Sequence, residues 1–254
     1  MRCLDTVVVG GIATTRATRA ELAAQMAYDC RCARTGELTN PRVVTSSNGS
    51  VIVAFNHGGA MRAALLEADV IDADGMPLVM ATRVLCKRPL QERVATTDFI
   101  HNAAEVAARE GLRFYFLGGK PGVAEKAADN LRRVHEDLQI VGIRHGYFAE
   151  EEERAICDEV KSRGTDVLWV GLGSPRQELF AVANRKRLRG VAWIRTCGGL
   201  FDHYDGNSKR APLWMQNAGL EWLYRLAREP VRLGPRYLLT NPIAIFHLAT
   251  KTHD

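Results

Sequence analysis

The chain has 254 residues, 46% hydrophobic and 25% charged, an ordinary globular composition long enough for one large domain or one domain with an appendage. Its net charge of +5 is concentrated late, where seven basic residues face three acidic ones from Lys209 onward. There is no apolar run of about 18 residues, no signal-peptide pattern in MRCLDTVVVGGIATTRATR, and no C-x-x-C pair among the six cysteines. These features argue against a membrane span, a disulfide framework and a zinc site, and make the cytoplasm the expected compartment.

Runs rich in β-branched and aromatic residues are the expected strands. They are TVVVGGI (6–12), RVVT (42–45), DVID (69–72), RFYFLGG (113–119), QIVGI (139–143), DVLWVGLG (166–173) and VAWIRT (191–196). Helical stretches separate most of them, so the expected fold class is α/β with a largely parallel sheet flanked by helices. Thr18 and Glu21 form a capping-box pattern ahead of LAAQMAYDC. Pro121 suits the first turn of PGVAEKAADNLRRVHE, and Gly164 follows EEERAICDEVKSR where a helix needs a left-handed terminator. After Lys209, Trp214, Trp222 and Tyr224 interleave with arginines, which divides the chain into a body (1–208) and a basic, aromatic, helical C-terminal appendage (209–254).

Two Gly-rich turns between a strand and a helix stand out, FLGGKPGVAE and VGLGSPRQELF. The second is a poor dinucleotide fingerprint, because Arg176 occupies the third glycine position and the turn comes too late in the chain. Ser174 as N-cap, Pro175 at the first helical position and Gln177 three residues after the cap read as a capping box. The outward N–H groups of such a turn also favour an anion such as a sugar-nucleotide diphosphate. In DVIDADGMPLV, Asp74 falls at the carboxyl end of a strand, where open α/β sheets bind ligands. It reads as a plain Asp-Gly turn, as a general base, or, with Asp72, as a D-x-D clamp for a divalent metal. TSSNGSV follows another strand and suits either sugar contacts or a helix cap. Arg225, Arg228 and Arg232 share a helical spacing that Pro230 should end or kink. They suit a solvated face, an anionic membrane or lipid diphosphate, or nucleic acid.

Seven segments in order, SSNGSV, DADGMPLV, FLGGKPGVAEKAA, GYF, VGLGSPRQE, CGGLFDHYDGNSKRAP and GLEWLYRLAREPVRL, resemble the WecG/TagA/CpsF family of bacterial glycosyltransferases from about Val43 to Phe246. The resemblance implies a Rossmann-like inverting enzyme. It would move a hexosyl or N-acetylhexosaminyl group from a UDP-sugar to a polyprenyl-diphosphate-linked sugar at the inner membrane surface, for a cell-surface polysaccharide. It implies Asp74 as catalytic base, Ser46 (where the family has threonine) and Asn48 as substrate contacts, and Gln177 as a donor or acceptor contact. Gly75, Gly118 and Gly171 join the substrate-binding set, with UDP leaving into the Gly-rich turns. Arg225 and Arg232 would hold the lipid diphosphate, and Leu233-Gly234-Pro235 departs from the basic residues usual there. The family is described as working without a bound metal, so no cofactor and no metal site are expected. Nucleic acid is not an expected partner, and self-association that displaces the appendage leaves a homo-oligomer open.

Overall fold

The structure, a computed structural model, describes residues 4–204 and 211–254 without the side chains of Asn217, Arg225, Arg232, Leu233 and Arg236. The first expected strand does not enter the main sheet. TVVVGGI folds back on itself as a hairpin of β1 (Thr6–Val9) and β2 (Ile12–Thr15), paired antiparallel with Val9 opposite Ile12. The turn is made by Gly10 and Gly11, at φ 58° and 90°. Two consecutive positive φ values are what a two-residue hairpin loop demands, and glycine supplies them at no steric cost. The expectation of one strand treated the two glycines as part of an apolar run, whereas they reverse the chain.

The next elements are α1 (Arg19–Arg34), β3 (Arg42–Ser47), α2 (Gly49–His57), α3 (Gly59–Leu66), β4 (Val70–Ala73), α4 (Met76–Leu85), α5 (Thr96–Glu110), β5 (Arg113–Gly118), α6 (Val123–Val134) and β6 (Gln139–Arg144). The Thr18–Glu21 capping box is present at the start of α1 in both directions. Pro121, by contrast, lies outside α6. The helix starts at Val123 because Gly122, at φ 83°, sits in a left-handed conformation that a proline-led helical turn would not allow.

A 3-10 turn leads into α7 (Glu153–Ser162), followed by β7 (Val167–Gly171), α8 (Arg176–Asn184), β8 (Trp193–Thr196) and α9 (Leu200–Tyr204). Gly164 follows α7 at φ 65°, as the terminator reading required. The C-terminal segment adds α10 (Leu213–Asn217), α11 (Glu221–Arg228) and α12 (Pro230–Thr250), and Pro230 does start a new helix after α11 ends.

Strands β3 to β8 form a six-stranded sheet in the order β4-β3-β8-β7-β5-β6, parallel throughout. The fold is therefore the expected Rossmann-like α/β architecture. Strand alternation divides the core between the two faces. Phe114, Phe116, Val167, Trp169 and Trp193 pack under residues of α1, α5 and α6, while Tyr115, Leu117, Leu168, Val170 and Ile194 meet α7 and α8. A third cluster joins Val7, Val9 and Ile12 of the hairpin to Ile52, Ile71, Val79 and Leu248, the last from α12.

Strand β5 continues through α6 to β6 on one side, and its neighbour β7 continues through α8 to β8 on the other. The connections diverge between β5 and β7, which makes this the switch point where open α/β sheets form a crevice. Gly118 and Gly171 are paired there. A Cβ on Gly118, at φ 151°, would lie 2.3 Å from the Gly171 carbonyl oxygen, so the two strand ends approach this closely only without a side chain. Gly118→Ala should therefore cost at least about 2 kcal/mol, seen as a lower urea midpoint at unchanged slope. An unchanged midpoint would show that the strand ends can part freely.

Candidate active site

The carboxyl ends of β3 and β4 carry the first group of expected site residues. Their parallel register sets Ser46 opposite Asp72 and Ser47 opposite Ala73. Asp74 follows, and its N–H donates to the Ser47 carbonyl at 2.8 Å. The Val94 N–H donates to the Ala73 carbonyl at 2.9 Å, which brings the first residue of α5, Thr96, over the strand ends. Ser46 Oγ and Thr96 Oγ1 are 3.2 Å apart, and Thr96 Oγ1 donates to Asp74 Oδ2 at 3.5 Å. Asp74 is half-buried and immediately precedes Gly75, the N-cap of α4, so its carboxylate sits near the positive end of that helix. Gly75 has φ 174°, extended backbone open to any residue.

Beneath this shelf lies a buried ion pair that the sequence reading did not single out. Arg195 of β8 and Asp72 of β4 are both 0% exposed, with Nη1 2.6 Å from Asp72 Oδ2. Arg195 reaches along the sheet face past β3, and its Nη2 donates to Ser46 Oγ at 2.9 Å and to Thr96 Oγ1 at 3.4 Å. The guanidinium carbon also stands 5.3 Å from the centre of the Phe99 ring. Complete burial pushes the Asp72 carboxyl upward, and the Arg195 charge and the Ser46 hydroxyl oppose that shift. The available signal in the sequence was an arginine inside the apolar run VAWIRT, since a charge in a central strand needs a buried partner. This arrangement does not suit the D-x-D clamp, because Arg195 engages the Asp72 carboxylate inside the protein. Among the described residues no group of three or more histidine, cysteine or acidic side chains is placed to hold a metal ion.

The second group lies at the switch point. Helix α8 begins at Arg176 with Pro175 as its cap, and Ser174 makes no capping bond to it. The expected Ser174–Gln177 capping box is thus absent, because the Ser174 hydroxyl instead donates to Glu178 Oε2 at 2.7 Å. The Gln177 side chain is 6% exposed. Its Oε1 accepts from the Gly198 N–H at 2.9 Å and its Nε2 donates to Glu178 Oε1 at 2.8 Å, tying α8 to the turn after β8. Arg176, which broke the dinucleotide fingerprint, donates to the Gly146 and Phe148 carbonyls at 2.9 and 2.8 Å and lies over the Phe148 ring, fixing the loop after β6. Gly171 is itself confined, since a Cβ there would lie 2.9 Å from the Phe201 ring.

The structure therefore places Ser46, Asp74 and Gly75 together at the ends of β3 and β4, and Gly118, Gly171 and Gln177 together at the switch point, along one carboxyl edge of the sheet. Asn48 caps α2 beside the first group, its Oδ1 accepting from the Val51 N–H at 3.1 Å and from the Ser50 hydroxyl at 2.8 Å. The C-terminal helices border the same edge. A Cβ on Gly219 would stand 3.6 Å from Met76 Cβ, in the first turn of α4, and one on Gly49 would stand 3.4 Å from Ala244 Cβ of α12. Arg93, just before α5, bonds Glu221 and Gln216 at 2.8 and 3.0 Å. The side chains of Arg225 and Arg232 lie outside the described residues, as does the start of the basic stretch at Lys209. A cavity lined by Asp5, Arg16, Tyr28 and Arg88 opens beside the hairpin and shares no lining residue with either group.

A doubly wound parallel sheet whose carboxyl edge presents a half-buried acid, hydroxyls and closely packed glycine turns defines a Rossmann-like protein. The chain matches the model of the glycosyl transferase WecG/TagA/CpsF family over residues 7–253, nearly its whole length, and it belongs to that family. A sugar donor and an acceptor are its substrates in general terms, and the match extends over the hairpin and the last helix, beyond the segments first recognised.

The internal bonds of Gln177 make a measurable claim. Gln177→Leu strands the Gly198 N–H and a Glu178 oxygen, and should cost about 1–3 kcal/mol in urea unfolding. No loss of stability would mean that these bonds are not made in solution.

Proposed function

We propose that the protein is an inverting glycosyltransferase that moves a hexosyl or N-acetylhexosaminyl group from a UDP-sugar to a polyprenyl-diphosphate-linked sugar. Asp74 takes the proton of the acceptor hydroxyl, the hydroxyl oxygen attacks the anomeric carbon, and UDP departs toward the switch-point turns. The observation that carries this reading is a half-buried carboxylate at the end of β4, bonded to a hydroxyl and backed by a buried ion pair. Ser46, Asn48 and Gly75 would contact substrate on the Asp74 side. Gly118, Gly171 and Gln177 would do so at the switch point, where helix N-termini favour a diphosphate. Gln177 would act through the second lone pair of Oε1 and the second hydrogen of Nε2, or after exchanging its internal bonds.

In this reading residues 1–208 are the transferase body, and 209–254 receive the lipid acceptor, with Arg225 and Arg232 on its diphosphate. The body would work at the cytoplasmic face of the membrane without spanning it. Two observations support a peripheral association: among the described residues no helix is long and apolar enough to cross a membrane, and Val231, Leu238, Leu239, Ile245 and Phe246 are exposed along α12. The product would enter a cell-surface or exported polysaccharide.

Asp74→Asn should lower turnover at least about 100-fold while leaving UDP-sugar binding in place, measured as UDP release with a panel of UDP-sugars and a short-chain polyprenyl-diphosphate sugar. Near-normal turnover would remove Asp74 as the base. Because Asp72 is held by Arg195, EDTA should leave the same rate unchanged. A rate abolished by EDTA and restored by Mg²⁺ or Mn²⁺ would favour the metal-dependent alternative.

A further inference from the structure

The groups behind Asp74 form a hydrogen-bond chain that starts from a fixed donor. A guanidinium carries only donors and accepts nothing. Arg195 Nη2 stands 2.9 Å from Ser46 Oγ and 3.4 Å from Thr96 Oγ1, so both hydroxyl oxygens receive from it and must turn their own protons away. Ser46 Oγ lies 3.2 Å from Thr96 Oγ1, which lies 3.5 Å from Asp74 Oδ2. The order that carries the chain to Asp74 runs from Arg195 to both hydroxyls, from Ser46 to Thr96, and from Thr96 to the Asp74 carboxylate, which accepts.

Arg195 has no freedom to leave this post. It is 0% exposed, its charge is balanced by Asp72 at 2.6 Å, and the Phe99 ring lies against its guanidinium. The pair is also costly to bury, each ion carrying a desolvation penalty that well-packed apolar side chains would avoid. Packing alone would be served as well by leucine and methionine, so the charges need another use.

We infer that Arg195 is a positioning residue for Asp74: anchored by Asp72, it orients the Ser46 and Thr96 hydroxyls so that Thr96 donates to the carboxylate and holds its rotamer. The inference rests on Asp74 being the reactive carboxylate, and it assigns work to three residues, Asp72, Thr96 and Arg195, that the proposed reaction does not itself require.

The test replaces the pair without leaving a lone buried charge, as Asp72→Leu/Arg195→Met, in the wild-type and Thr96→Val backgrounds. With the UDP-sugar that the wild-type chain turns over, kcat should fall about tenfold or more in the wild-type background and less than about twofold when Thr96 is already valine, because both changes break one chain. KM for the UDP-sugar should stay within about twofold. Arg195→Lys, which keeps a donor and a charge beside Asp72, should recover part of the loss. Equal losses in both backgrounds would overturn the inference.

Crystal structures of the same variants give a readout that needs no turnover. The Asp74 side chain should leave its wild-type rotamer when the pair is removed and keep it in Arg195→Lys; an unmoved Asp74 in the pair variant would overturn the inference. If Asp74→Asn is fully active, the base reading fails, and the Asp74 rotamer then decides the role of Arg195 alone. If the pair variant does not fold, Arg195→Lys against Thr96→Val supplies the kinetic readout, a partial kcat loss that vanishes in the valine background supporting the inference and an additive one rejecting it.

Discussion

The ion pair between Arg195 and Asp72 is the constraint around which the candidate site is arranged. Its members come from β8 and β4, which are not neighbours, and β3 lies between them. Bringing the two charges to 2.6 Å across an intervening strand is possible only if all three strands keep one register. A slip of one residue would turn either side chain to the opposite face of the sheet. The pair therefore ties the register of β4, β3 and β8 to an electrostatic requirement that no apolar contact imposes. Through the Arg195 Nη2 donors to Ser46 and Thr96, it extends that requirement to the start of α5.

Buried and half-buried acids occur at both edges of the sheet, and those at the amino edge are held by named partners. At the amino edge, Asp29 accepts from Trp193 Nε1 and Gln25 Nε2 at 2.8 and 2.9 Å and pairs with Arg42. Asp166 binds Arg34 and the Arg113 N–H, and Asp69 binds the Val43 N–H and Arg185. Each of these carboxylates joins a helix, loop or strand to a strand beginning, and each is saturated by cations and N–H groups. At the carboxyl edge the strand-end glycines Gly118 and Gly171 are closely packed, and the Thr96 hydroxyl donates to Asp74.

Local patterns account for the parts of the molecule that were legible in the sequence. Strand positions and the α/β class follow from local runs of β-branched and aromatic residues, and Thr18 and Glu21 cap α1 as read because both partners lie within one turn. Asp74 was legible as a strand-end acid for the same reason. Ser174 looked like a similar cap, but Glu178, one turn further on, competes for its hydroxyl, and that competition depends on how α8 is seated. The hairpin was hidden because Gly10 and Gly11 sit inside an apolar stretch, where composition says strand and only the paired positive φ values say turn. Arg195 and Asp72 were hidden for a different reason. Each was visible as a charge in an apolar strand, but their pairing is a property of strand order, which places β8 beside β3.

The C-terminal helices, proposed to receive a lipid acceptor, would have to be both anchored and exposed. The far end of α12 is anchored. Leu248 is buried against the hairpin cluster, His253 exchanges backbone hydrogen bonds with Val8 at 3.0 and 3.1 Å, and Asp254 binds Arg16 and the Lys87 N–H at 2.7 Å each. The near end is held where Arg93 bonds Gln216 and Glu221. Between these two attachments the exposed apolar side chains, from Val231 to Phe246, are presented on a helix that cannot drift from the body. That helix packs on α2, directly after the Asn48 cap, and Gly219 packs on the first turn of α4, directly after Asp74. On the proposed acceptor reading, a lipid surface meeting these side chains would lie beside the Asp74 edge, so membrane contact and acceptor delivery become one geometric event.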